Sequence, residues 1–205
     1  DLGIVTSNLV LKHNYDLSSV QPLSDGAAYF VDSNTDYIDL GDSNNFITGN
    51  NVTMAIWFRL TDSNMVYLMQ NQKATGSTNL ALLLNKDVSG VAAGKVSSLA
   101  WGGSSHTYLS YDGNVDTDGK WHHLAVTLGS SEQKLYLDGI LVGENTVQFS
   151  NSASTDNMFI GALNGTTSSM DGYVCNAGIW SGVLSQPQIK SIMNKNYAGL
   201  SDSEK

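Results

Sequence analysis

Between Trp121 and Gly143 the chain alternates apolar and polar residues in two runs, WHHLAVTL and KLYL, joined by a polar link. Trp121, Leu124, Val126 and Leu128 fall on or near one face of the first run, and Leu135 and Leu137 on one face of the second. Successive side chains of a strand point to opposite faces, so this period-two pattern predicts half-buried strands. Asp138-Gly139 stands between LYL and ILV and predicts a type I′ hairpin turn, which needs positive φ at both central residues. The stretch therefore predicts three consecutive antiparallel strands.

The same pattern recurs along the chain. Residues 8–12 (NLVLK) predict an edge or closing strand, and 27–41 predict two strands about a Ser33-Asn34 turn. Residues 52–60 alternate cleanly, with Trp57 in mid-strand. Further strands are expected at 65–69, 80–85, 96–102, 106–111, 158–163 and 173–179, each bounded by Asn, Ser, Gly or Asp. Short strands spaced by roughly 10 residues, with turn signals between them, argue for a sandwich. One helix is expected, over 185–195, with Ser185 as N-cap and Ile189, Ile192 and Met193 on one face. The tail from residue 198 is polar and is expected to fray or to lead into a linker. A single domain over 1–205 is expected, its core spanning about 8–197.

Composition narrows the functional classes. The single cysteine, Cys175, excludes an internal disulfide framework. A net charge of −9 argues against nucleic acid or an anionic membrane surface as partner. No run approaches the roughly 20 apolar residues of a membrane-spanning helix. Only 14% of residues are charged, against about a quarter in ordinary domains, and Ser, Asn, Thr and Gly carry the polar mass. That style correlates with extracellular and virion β-proteins.

Several motifs in order resemble the laminin-G-like, concanavalin A-like lectin and glucanase domains. They are DYIDLG at 36–41, VTMAIWF at 52–58, WHHLAVT with LYLDGILVG, FIG at 159–161 and LSQPQI at 184–189, and together they span roughly residues 25–197. The resemblance implies an all-β, two-sheet antiparallel jelly-roll sandwich with one short C-terminal helix. It implies a non-catalytic recognition module that binds carbohydrate, a glycan or host surface polysaccharide. The phrases VQPLSDGAAYF and LSQPQIKSIMNKNY resemble domains of marine bacteriophage virion proteins. This implies adhesion from a virion or other extracellular surface. The alternative is a structural capsid or tail decoration or oligomerisation domain without sugar binding, its partners being coat or tail proteins or a second copy.

The candidate chemistry agrees with a binding module. Glycoside hydrolysis usually needs two carboxylates across a cleft. Glu132, Glu144 and Glu204 have no acidic neighbour at strand spacing, and Asp36 and Asp39 are expected on opposite faces. No enzyme activity is expected. Cys175 lies in an apolar strand and reads as a small core residue. His122 and His123 are adjacent, face opposite ways and cannot chelate one ion, so one of them is expected to be a hydrogen-bonded structural histidine.

Two readings stay open for the oxygen donors Asp25, Asp32, Asn34, Asp36, Asp42 and Asp171. They supply Asx-turns and left-handed turn positions, or, as the resemblance implies, Asp25, Asp32 and Asp36 help to hold a Ca²⁺. Against the latter, Cys175 stands where relatives carry an aspartate. Sugar stacking points to Trp101, Tyr108 and Tyr111, beside Gly-Gly-Ser-Ser and Asp-Gly turns. Trp57, Trp121 and Trp180 read as packing residues, while for Trp101 a site and a core role both stay open.

Overall fold

The computed structural model describes residues 21–24, 26–34, 36–62, 64–72, 78–84, 95–113, 115, 118–147, 149–151, 157–163 and 167–205. The strand expected at 8–12 and the candidate ligand Asp25 lie outside the described residues. Among the described residues twelve strands and one α-helix follow in order. The strands are β1 (Ala28–Phe30), β2 (Ile38–Asp42), β3 (Val52–Leu60), β4 (Val66–Gln72), β5 (Thr78–Leu84) and β6 (Lys95–Trp101). They continue as β7 (His106–Asp112), β8 (His122–Leu128), β9 (Gln133–Leu137), β10 (Ile140–Asn145), β11 (Asn157–Ile160) and β12 (Gly172–Trp180), and α1 spans Gln186–Met193.

The strands form two antiparallel six-stranded sheets, ordered β1-β12-β3-β8-β9-β10 and β2-β11-β4-β5-β6-β7. Alternation decides what lies between them. From the first sheet, Met54, Ile56 and Phe58 of β3 and Leu124 and Val126 of β8 point inward. Leu80, Leu82, Val96, Met158 and Ile160 meet them from the second. The two inner faces make one core, as a jelly-roll sandwich requires.

Asp138 and Gly139 take φ of 51° and 74°, the double positive φ of the expected type I′ turn. Helix α1 starts where expected: the side-chain oxygen of Gln188 accepts from the Ser185 N–H at 2.9 Å and from its hydroxyl at 2.7 Å. Its buried face of Ile189, Ile192 and Met193 covers the outside of the first sheet over Ala55, Ala125, Trp57 and Cys175. Cys175 is thus a buried residue, but under the helix rather than between the sheets.

Two expectations are corrected. Trp121 does not anchor the core. It lies three residues before Leu124, and an odd offset places it on the opposite, outer face, where it is half-buried beside Arg59 and Tyr173. The C-terminal tail is docked rather than frayed. Tyr197–Gly199 form a 3₁₀ turn, and the Glu204 carboxylate accepts from Lys195 Nζ (2.6 Å), the Ser191 hydroxyl (2.7 Å) and the Ser201 N–H (2.8 Å). The Glu204 carbonyl also accepts from Trp180 Nε1 at 2.7 Å. These bonds hold the Glu204 carboxyl well below the usual carboxylate range, Lys195 first among them.

Candidate functional site

The centre of each sheet's outer face is buried. Helix α1 and the C-terminal segment lie on the first. On the second, strand register assembles one row across all six strands: Asp39, Phe159, Gln70, Ala81, Leu99 and Tyr108. Its central part packs as a small apolar cluster of Tyr67, Ala81, Leu83, Leu99 and Tyr108.

Among the sequence candidates, this face brings Trp101 and Tyr108 together. Trp101 pairs with His106 across the β6–β7 hairpin, their rings meeting edge to face at 4.8 Å. Tyr108 lies opposite Leu99, and Ser97 and Ser110 beyond them share a hydroxyl contact of 2.7 Å. Trp101, His106 and Tyr108 are half-buried and form the rim of the face. Tyr111 goes elsewhere: it is three residues from Tyr108, opposite the core residue Val96, and points to the other side of the sheet.

Sequence reading missed Gln70, which lies opposite Ala81 on this face. The residue is fully buried, and neither its amide nitrogen nor its amide oxygen has a hydrogen-bond partner. A glutamine in an alternating strand reads as solvent-facing, so no sequence signal marks it. Buried polar atoms are nearly always paired, and an orphaned donor–acceptor pair calls for an explanation.

The calcium candidates sit in turns. Asp36 accepts the Val31 N–H at 3.0 Å, Asp42 that of Asn44 at 2.9 Å, and Asp32 opens a 3₁₀ turn. Asp171 has one buried, unpartnered carboxylate oxygen and holds Tyr29. Among the described residues no three His, Cys, Asp or Glu side chains are grouped to hold a metal.

The histidine pair is structural. His122 Nδ1 lies 2.8 Å from Asp138 Oδ2 and Nε2 lies 3.1 Å from Asp118 Oδ2, while Asp138 Oδ1 accepts the His123 N–H at 2.8 Å. Burial lowers the His122 pKa, but the bond and charge of Asp138, then those of Asp118, overrule it and raise the value. Both ring nitrogens are engaged, which leaves no free site for proton transfer. His123 points outward against Trp57, and burial pulls it down to about 4. Two of the three glutamates are ion-paired, Glu132 with Lys134 and Glu204 with Lys195, and Glu144 lies on the edge strand β10.

A cavity of about 210 Å³ lies under the C-terminal segment, lined by Ala55, His123, Gly178, Trp180, Ile192 and Leu200. Pockets that enclose drug-sized ligands run to roughly 300–1,000 Å³. An oligosaccharide does not fit inside it.

The chain resembles domain 4 of AbnA, an extracellular arabinanase from Geobacillus stearothermophilus solved with arabinotriose: 17% identity, TM-score 0.60, 83% of this chain and 82% of that one. It resembles a Ruminococcus gnavus sialidase CBM40 bound to α2,6-sialyllactose at 16% identity, TM-score 0.58, over 82% and 98%. The mouse laminin α1 domains LG4-5 match at 19% identity, TM-score 0.59, over 81% of this chain and 44% of that one. No curated protein matches the sequence. A family model described as the concanavalin A-like lectin/glucanases superfamily matches residues 32–190, most of the chain. The chain belongs to the concanavalin A-like lectin/glucanases superfamily.

Proposed function

We propose that the protein is a non-catalytic carbohydrate-binding module that engages glycan on the outer face of its second sheet. The pair of half-buried aromatic side chains Trp101 and Tyr108, diagonal neighbours across the β6–β7 pair on that face, carries the reading. An aromatic ring stacks on the apolar face of a pyranose. Solved relatives carry arabinotriose and sialyllactose, which supports sugar as the ligand class. The single-domain reading and display on an extracellular or virion surface belong to the same proposal, the latter resting on the Ser-, Asn-, Thr- and Gly-rich surface style.

A glycan array with and without EDTA, followed by titration calorimetry on the best ligand, tests it. Trp101→Ala and Tyr108→Ala each weaken binding, while Tyr111→Ala leaves it unchanged. An array without any hit removes the reading. The EDTA arm carries Ca²⁺, for which Asp32, Asp36 and Asp171 offer carboxylate oxygens; an affinity that survives EDTA removes the ion.

A second reading, self-association or docking to coat or tail proteins, rests on the exposed Tyr37, Ile38 and Leu40 around the edge strand β2. Sedimentation of the intact chain tests it.

A further inference from the structure

The outer face of the first sheet ends, beyond the reach of helix α1, in a second row of side chains. Register places Tyr29 of β1 beside Tyr173 of β12, and Tyr173 beside Arg59 of β3. Trp121, just before β8, closes the row. The Tyr29 and Tyr173 rings stand 4.7 Å apart, and those of Tyr173 and Trp121 6.4 Å apart. Between the latter two lies the Arg59 guanidinium, 4.5 Å from the centre of Tyr173 and 5.7 Å from that of Trp121. Tyr29 is 54% exposed, and the other three are half-buried, so the row is a surface.

Arg59 is the chain's single arginine, in a protein of net charge −9. Stacking on rings occupies the flat face of a guanidinium and leaves its in-plane N–H donors unused. Among the described residues no carboxylate lies within ion-pair distance of Arg59, and none accepts a hydrogen bond from it. The acid near the row, Asp171, is engaged at the far end, where its charge and hydrogen bond raise the Tyr29 hydroxyl. What remains is a fixed planar fork of donors with aromatic faces on either side. A fork of that geometry matches a carboxylate, and flanking rings match the sugar that bears it.

We infer that the Tyr29–Tyr173–Arg59–Trp121 row is a binding surface for acidic glycans, with Arg59 gripping a uronate-type carboxylate and the rings stacking on the adjoining sugars. It is independent of the face that carries Trp101 and Tyr108. One surface therefore selects for charge and the other for neutral hydroxyl patterns.

Calorimetry with tri-galacturonic acid and with its methyl ester tests this on the intact chain. The acid binds and the ester, same sugar without the charge, binds at least about tenfold more weakly. Arg59→Gln removes the preference; Arg59→Lys keeps the charge, loses the fork and falls between. Tyr111→Ala, which lies on neither surface, leaves acid binding unchanged. Thermal melts of the variants confirm that they are folded. Equal binding of acid and ester, an Arg59→Gln affinity equal to that of the parent, or no acid binding at millimolar concentration overturns the inference. Loss of binding on Trp101→Ala but not on Arg59→Gln overturns it while leaving the second-sheet proposal in place.

Discussion

Asp138 reaches from the β9–β10 turn to His122 at the start of β8, with its Oδ2 2.8 Å from Nδ1 and its Oδ1 accepting the His123 N–H at the same distance. The Asp138 N–H in turn donates to the His123 carbonyl at 2.8 Å. One residue therefore makes the type I′ turn and ties the hairpin to the strand before it. Asp138→Asn separates the two roles, because asparagine tolerates positive φ but carries no charge. Its loss of about 2–3 kcal/mol in chemical denaturation reports the broken buried pair.

The neighbouring histidines respond to pH with opposite sign. His123 is depressed from 6.5 to about 4 by burial, so the unfolded chain binds the extra proton first. Its contribution falls as pH drops from 6.5 towards 4, by roughly 3 kcal/mol in all. His122 is raised, so its contribution is complete below 6.5 and is lost as pH rises through its folded value. Denaturation between pH 4 and 8 shows both slopes in the parent. His123→Leu removes the acid-side slope and keeps the other.

Gly172 opens β12 with φ 151°, and a Cβ there would run into the carbonyl oxygen of Arg59 on β3. Backbone cannot move aside as a side chain can. Gly172→Ala should lose at least about 2–3 kcal/mol in denaturation, a strained position combined with a clash.

The sandwich was legible because its cues are local. Period two marks the strands, Asp-Gly marks the hairpin, and Ser185 marks the helix start. Partners that depend on register were not. Asp138 finds His122 only once β8 and β9 pair, and Gln70 meets Phe159 and Ala81 only once β4 pairs with β11 and β5. Trp121 is instructive in another way: counting parity from Leu124 already places it outside, against the reading that set it on or near the face of Leu124. The tail looked frayed because Glu204 is anchored by Lys195 and Ser191, contacts that no short window displays. At β12 the register shifts between Cys175 and Gly178, with Asn176 at φ 47°, and period-two reading does not foresee such a bulge.

Glu204 gathers the tail through its carboxylate, and its lowered pKa means the contribution is present above the ordinary glutamate value and is lost as pH falls through the folded one. Glu204→Gln keeps the shape and removes the charge. Hydrogen exchange over residues 197–205 accelerates in the variant. Trp180, whose indole donates to the Glu204 carbonyl, shifts its fluorescence to the red as the tail lifts.

Gln70 bears on stability and not on binding. Its amide atoms are buried without partners, so the folded protein bears their desolvation with no return. Methionine matches glutamine in length and flexibility and has no such atoms to satisfy. Gln70→Met should therefore raise stability by about 1–2 kcal/mol, contrary to the usual effect of a core substitution. With no exposed surface at Gln70, the same change leaves glycan binding at the Trp101–Tyr108 rim unchanged. Denaturation and calorimetry on one variant read both sides. A gain in stability with unchanged affinity places the sugar on the Trp101 rim alone, and a loss of stability shows that the amide has a partner in the fold.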